Sequence, residues 1–207
     1  VGSEMCIRDS FRNMSRFDEA EAYILQTKAT GQASQGITPL YGFVVDSLEI
    51  TPGQDKSGTL VLTPLVRHVT FTVHVDKPEE IKTCKGSLSG VSTSLNLSKR
   101  KVVTEASTNV EFDMETSDKG VNGDLIILGT ALPKEEEQKP VTNQVTIDFT
   151  LSDGSMVSAT ADLEDKLNEI DTPHVNVTIN ATVEKSPKFT IRLTNWEVGP
   201  GEETTIE

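Results

Sequence analysis

Four stretches of the chain place an apolar side chain at every second position: Val69, Phe71, Val73 and Val75; Val145, Ile147, Phe149 and Leu151; Val175, Val177, Ile179, Ala181 and Val183; and Phe189, Ile191 and Leu193. Thr70, Thr72, His74, Thr146, Asp148, Thr150, Asn176, Thr178, Asn180 and Thr182 lie between them. Successive side chains of an extended backbone point to opposite faces, so a repeat of two predicts strands with one dry and one wet face. The abundant Val, Ile and Thr reinforce this, because β-branched side chains fit a pleated surface better than a helix turn. An all-β chain follows, and its outward positions are mostly Thr, Asn and Asp.

Other stretches are less regular. Ser87–Leu97 reads as a strand in which the small Ser89 and Gly90 permit close approach of another element. A further strand runs within Val102–Met114, through Val110, Phe112 and Met114. Asp124–Leu132 is apolar on both faces, as a covered central strand should be, with Gly129 suggesting a bulge. Turns are expected at Asp118–Gly120, at Asn122-Gly123 and above all at Asp153-Gly154, a dipeptide that favours tight hairpins. One short helix is predicted over Leu163–Ile170, capped by Asp162 and burying Leu163, Leu167 and Ile170. The stretch from Pro133 to Pro140, PKEEEQKP, reads as an exposed charged loop.

The 207 residues suit one full domain plus part of another, or two small ones. From about residue 65 to 207, seven or eight strands fit a single antiparallel sandwich. Residues 11–64 hold too few elements to close a core and read as the remnant of an N-terminal β domain with a linker. Residues 1–10, VGSEMCIRDS, look like a translated sequencing adapter and are set apart from fold reasoning; the natural N-terminus is then expected to be missing.

With 19 Lys+Arg against 32 Asp+Glu, a net charge of -13, the chain lacks the clustered cations on which nucleic-acid affinity depends. No apolar run is long enough to span a bilayer. Cys84 is the one thiol outside the first ten residues and reads as a small buried hydrophobe.

Motifs for catalysis and cofactor binding are absent: no GxSxG, SxxK, HExxH, CxxC, GxGxxG or P-loop pattern occurs. His74 and His174 occupy outward strand positions and in principle form a metal pair, but no HxH spacing supports one, so they and His68 read as solvated residues. Glu164 with Asp165, or Asp148 with Asp162, are carboxylate pairs that nothing in the sequence sets across a cleft; they read as solvating surface. No catalytic, cofactor-binding or metal-ligating residue is assigned, and no cofactor is expected. Trp196 reads as closing one end of the sandwich; exposed, it would serve sugar stacking instead. Asn96, Asn176 and Asn180 stand in N-x-S/T triplets at chance frequency, and Asp46-Ser47-Leu48 matches a short O-glycosylation pattern.

A family resemblance rests on SLSGVSTSLNLS (87–98), LIILGTAL (125–132), TIDFTLSDGSMVSATADLEDKLN (146–168) and TNWEVGPGEETTIE (194–207), in that order, preceded by RFDEAEAYILQ (16–26). Together they resemble the later part of the fimbrillin-like, Mfa-like anchor and tip lipoproteins of Bacteroidales fimbriae, here as an N-terminally truncated fragment. The resemblance implies tandem transthyretin-like β-sandwiches, export, a lipid anchor upstream of this fragment, and display at the outer membrane of the cell surface. It implies no enzyme activity, other fimbrial subunits as partners through β-strand addition, and host or bacterial surface ligands. Val175–Val183 and Phe189–Leu193 are the candidate late strands for packing such a groove. A carbohydrate-binding module is the alternative reading, and a hydrolase with two carboxylates across a pocket is a third.

Overall fold

In a computed structural model, the described residues are 11–25, 36–43, 52–53, 55, 57–59, 61–102, 106–131, 143–163, 166–169, 172–185 and 189–201. Their strands, in chain order, are β1 (Phe11–Arg12), β2 (Glu21–Tyr23), β3 (Tyr41–Gly42), β4 (Thr63–Pro64), β5 (Arg67–Val75), β6 (Ile81–Ser92) and β7 (Ser94–Asn96). There follow β8 (Lys101–Val102), β9 (Ser107–Ser117), β10 (Gly120–Ile127), β11 (Gln144–Leu151), β12 (Met156–Asp162), β13 (His174–Lys185) and β14 (Phe189–Pro200), with one helix, α1 (Lys166–Glu169), before β13. None of the helices among the described residues is long and apolar enough to cross a membrane.

Eight strands form one hydrogen-bonded order, β12-β11-β6-β9-β10-β5-β13-β14. The link between β9 and β10 is short, joining only Gly120–Gly123 to residues 114–117, so the sheet folds over at that hairpin into two layers. At the opposite side, Cα atoms of β12 and β14, the two ends of the order, come within 8 Å of each other. The result is a nearly closed sandwich or barrel. The alternating rows face inward as the repeat of two requires: Val69, Phe71, Val73 and Val75, Val145 to Leu151, and Val175 to Val183 are all buried. Each fully buried large side chain contributes about 1.5–3 kcal/mol by leaving water. Phe71 stacks on Phe112 across the layers, ring centroids 4.7 Å apart.

Most pairings are antiparallel, but β13 runs parallel to β5, with His174 opposite His68 and Ala181 opposite Val75. The antiparallel sandwich expected from the sequence thus forms, with this one parallel pairing inside it. Alternation tells which face is dry and carries no information on strand direction. The Asp153-Gly154 hairpin forms as expected, Gly154 taking a φ of 82° and Asp153 Oδ1 accepting the Ser155 N–H.

Asn122-Gly123, by contrast, is no turn but lies inside β10. A Cβ on Gly123 would meet Met114 Cγ at 2.9 Å and Phe112 Cε2 at 3.0 Å, so the glycine makes room for a ring. The bulge expected at Gly129 is displaced onto its neighbour: the register shift falls in β6 between Leu88 and Val91, around Gly90 with its φ of 71°. Gly129, with a φ of 138°, lies opposite, its carbonyl accepting the Ser92 N–H. The helix is shorter than predicted. Asp162 belongs to β12, and Leu163 and Leu167 are buried, while Ile170 and the loop 133–140 lie outside the described residues.

A second, four-stranded sheet has the order β1-β2-β7-β8. Residues 20–24 are stitched to the β6–β9 connection through Ile24 N–H to Thr93 O and Leu97 N–H to Ala20 O. Ala22, Ile24 and Leu95 join the main core.

Candidate functional site

A recess lies where β9 and β10 part. The Phe112 ring rests in a cradle of two glycines: a Cβ on Gly86 would come within 2.3 Å of Phe112 Cζ, and Gly123 lies against the same ring. Beyond Gly123 the two strands part. β10 continues beside β5 as far as Ile127 opposite Arg67, while β9 continues beside β6 to Ser107 opposite Ser92.

Residues 36–40 run along the parted edge of β10. Ile37 N–H donates to Ile126 O at 3.0 Å, and Leu65 N–H donates to Leu40 O at 2.8 Å. A Cβ on Gly36 would lie 2.3 Å from Ile126 O, so only glycine lets the chain approach the strand this closely. Ile37 and Leu40 pack half-buried against the core. Beside this segment lies a cleft of about 480 Å³, within the ~300–1,000 Å³ of ordinary ligand sites. Gly36–Pro39 form one wall, Lys85 and Glu111–Asp113 the other, and Asp124–Ile126 the remainder. Glu111, Asp113, Asp124 and Lys85 are all exposed on wet strand faces, which leaves three carboxylates against one ammonium.

Asp124 leads from the cleft onto the outer face of β5. Its Oδ1 accepts the Thr70 hydroxyl at 2.8 Å and lies 3.1 Å from His68 Nε2. The His68 and His174 rings meet edge-on at 5.6 Å between centroids. His74 pairs with Asn180 instead, six positions along from the His68–His174 pair, or roughly 20 Å away at strand rise. The pair weighed from sequence therefore does not form. No group of three or more His, Cys, Asp or Glu among the described residues is disposed to hold a metal ion.

The other singled-out residues are dispersed. Asp148 lies opposite Ser158 and accepts its hydroxyl, whereas Asp162 lies opposite Gln144. Glu164, Asp165 and Asp46-Ser47-Leu48 fall outside the described residues. Trp196 sits opposite Ile179 on β14, partly buried against the core. Asn96 is engaged by its own turn, Oδ1 accepting from Ser98 Oγ and Lys99 N–H, whereas Asn176 and Asn180 are exposed. Cys84 is buried and its thiol is pushed up from 9.0 to about 11 by desolvation, so no thiolate is present at neutral pH.

The cleft residues were missed at the sequence level although one signal was visible. Glu111, Asp113 and Glu115 alternate along β9, a row of carboxylates on one wet face. What they face depends on pairing partners far away in the chain. Chemically, the arrangement suits recognition: parts of β6, β9 and β10 border an acidic recess.

No protein-family model and no curated protein matches the sequence. Solved structures do match in fold. The fimbrial anchor protein Mfa2 from Porphyromonas gingivalis superposes with a TM-score of 0.53 at 13% identity, over 95% of this chain and 72% of that one. A candidate adhesin from Bacteroides ovatus gives 0.51 at 19% identity, covering 87% and 69%, and another from Bacteroides thetaiotaomicron gives 0.50 at 9%, covering 94% and 73%. At these identities the likeness is one of fold.

Proposed function

We propose that the chain is a non-enzymatic structural or adhesive protein of the bacterial cell surface, a fimbrial anchor- or tip-like subunit that joins other subunits through β-strand edges. The observation that carries this reading is the parted β9–β10 edge, where another part of the same chain already hydrogen-bonds β10 through Ile37 N–H to Ile126 O. Unpaired backbone at a sheet edge is a template for a further strand. The shared fold with a fimbrial anchor and candidate adhesins supports it. Outer-membrane display through a lipid anchor belongs to the same proposal.

Immunogold labelling of cells that produce the protein is expected to decorate their outer surface, and shearing to release it together with filament subunits. Labelling confined to the cell interior, or release of the protein unaccompanied, would overturn the reading.

A further inference from the structure

From Asn109 to Asp113, the edge of β9 that faces away from β6 has no partner strand among the described residues, while its other edge is paired with β6. That edge borders the 480 Å³ cleft, and the wall across from it is Gly36–Pro39. The recess thus lies between β9 and the segment 36–39, which at Ile37 already hydrogen-bonds β10. N–H and C=O groups on this stretch of β9 that no described strand meets can be satisfied by an incoming one. What that strand must carry is set by the side chains beside it. Residues facing each other on neighbouring strands lie close enough for opposite charges to attract and like charges to repel. Here the wet row offers Glu111, Asp113 and Asp124 against Lys85 alone, and the inner side offers the apolar Phe112 and Leu125.

We propose that this cleft receives an extended segment of a different protein, in which Lys or Arg alternates with apolar residues, added as a strand to the free edge of β9. The basic residues face Glu111, Asp113 and Asp124; the apolar ones turn inward onto Phe112 and Leu125. This rests on the functional reading above and names its partner. A second copy of the chain is a poor occupant, because two molecules each of net charge -13 repel on approach, whereas a basic partner is steered in.

The test uses the full chain and fluorescent peptides of about nine residues, enough to cover one strand edge. One alternates Val with Lys, one alternates Val with Glu, and one has the Val/Lys composition in two blocks. The alternating Lys peptide is expected to bind, to weaken with added salt, and to slow hydrogen exchange at backbone amides of 109–113. The blocked peptide should bind about tenfold more weakly and the Glu peptide not measurably. Glu111→Lys with Asp113→Lys, both exposed and so compatible with folding, should reverse the preference between the Lys and Glu peptides.

Equal binding of the blocked peptide, protection on β12 or β14 in place of β9, or self-association that excludes the peptide would each overturn the proposal. Surface labelling without peptide binding removes the partner assignment alone. Peptide binding at β9 without surface labelling removes the functional reading and leaves the strand site standing.

Discussion

The two edges of β10 are made by the same eight residues and end differently. Toward β5, pairing runs from Gly120 opposite His74 to Ile127 opposite Arg67. Toward β9 it stops after Gly123. On the β5 side Val73 is buried against Val121 and Val69 against Leu125, with Phe71 between them opposite Gly123. On the β9 side a single ring, Phe112, spreads over two glycines and the strands separate beyond it. The β5 edge is paired along its whole length, and the other edge is met beyond Gly123 by Ile37, whose N–H donates to Ile126 O.

Substitutions on the two edges should differ in effect. Phe71→Ala, on the closed side, removes a fully buried ring and its stacking on Phe112, and should cost about 3–5 kcal/mol in urea unfolding. A loss below about 1 kcal/mol would mean that β5 does not anchor the core. Gly86→Val tests the cradle. Its Cβ would stand 2.3 Å from the Phe112 ring, and overpacking of this kind costs about 1–3 kcal/mol. Combined with Phe112→Leu, which vacates the space, the loss should be smaller than the sum of the two single changes; strict additivity would show that the ring and the glycine do not share that space.

A smaller, pH-dependent effect belongs to Cys84, which faces Met114 beside the closed part of the hairpin. Its pKa is raised in the folded state from 9.0 to about 11. The unfolded chain therefore gives up the proton first, and the thiol's contribution to stability, whole below pH 9, should be lost progressively as pH rises to about 11. Cys84→Ala should flatten that part of the stability profile. Labelling by a thiol reagent at neutral pH should be slow in the native protein and fast in denaturant. Gly36→Ala should change least. The Cβ would press on Ile126 O at 2.3 Å and displace the segment, so amide exchange at Ile37 should speed up while global stability moves by less than about 1 kcal/mol.

The legible part of the fold was whatever alternation reports. The inward rows of β5, β11 and β13 could be read residue by residue, because burial on one face leaves a repeat of two in the sequence. The first half of β6 could not. Lys82, Thr83 and Lys85 are exposed around the single buried Cys84, too polar a run to announce a strand. Asn122-Gly123 misled because its dipeptide favours a turn in isolation, while in the folded chain the glycine is required by a ring that β9 supplies. Direction and neighbourhood were also hidden: His174 meets His68 and misses His74 because β13 runs parallel to β5 in one register out of several that the pattern allows. The cleft was out of reach for the same reason, its walls coming from residues 36–39, 85, 111–113 and 124–126.

The parallel pairing of β5 with β13 also sets the order in which the molecule can be completed as it is synthesised. Asp76 accepts the Val183 N–H across 107 positions of sequence. At ~5–20 residues per second a ribosome needs roughly 5–20 s to deliver the second partner after the first. Throughout that interval the flank of β5 that awaits β13 stays bare, a ready surface for aggregation with neighbouring nascent chains unless a chaperone shields it.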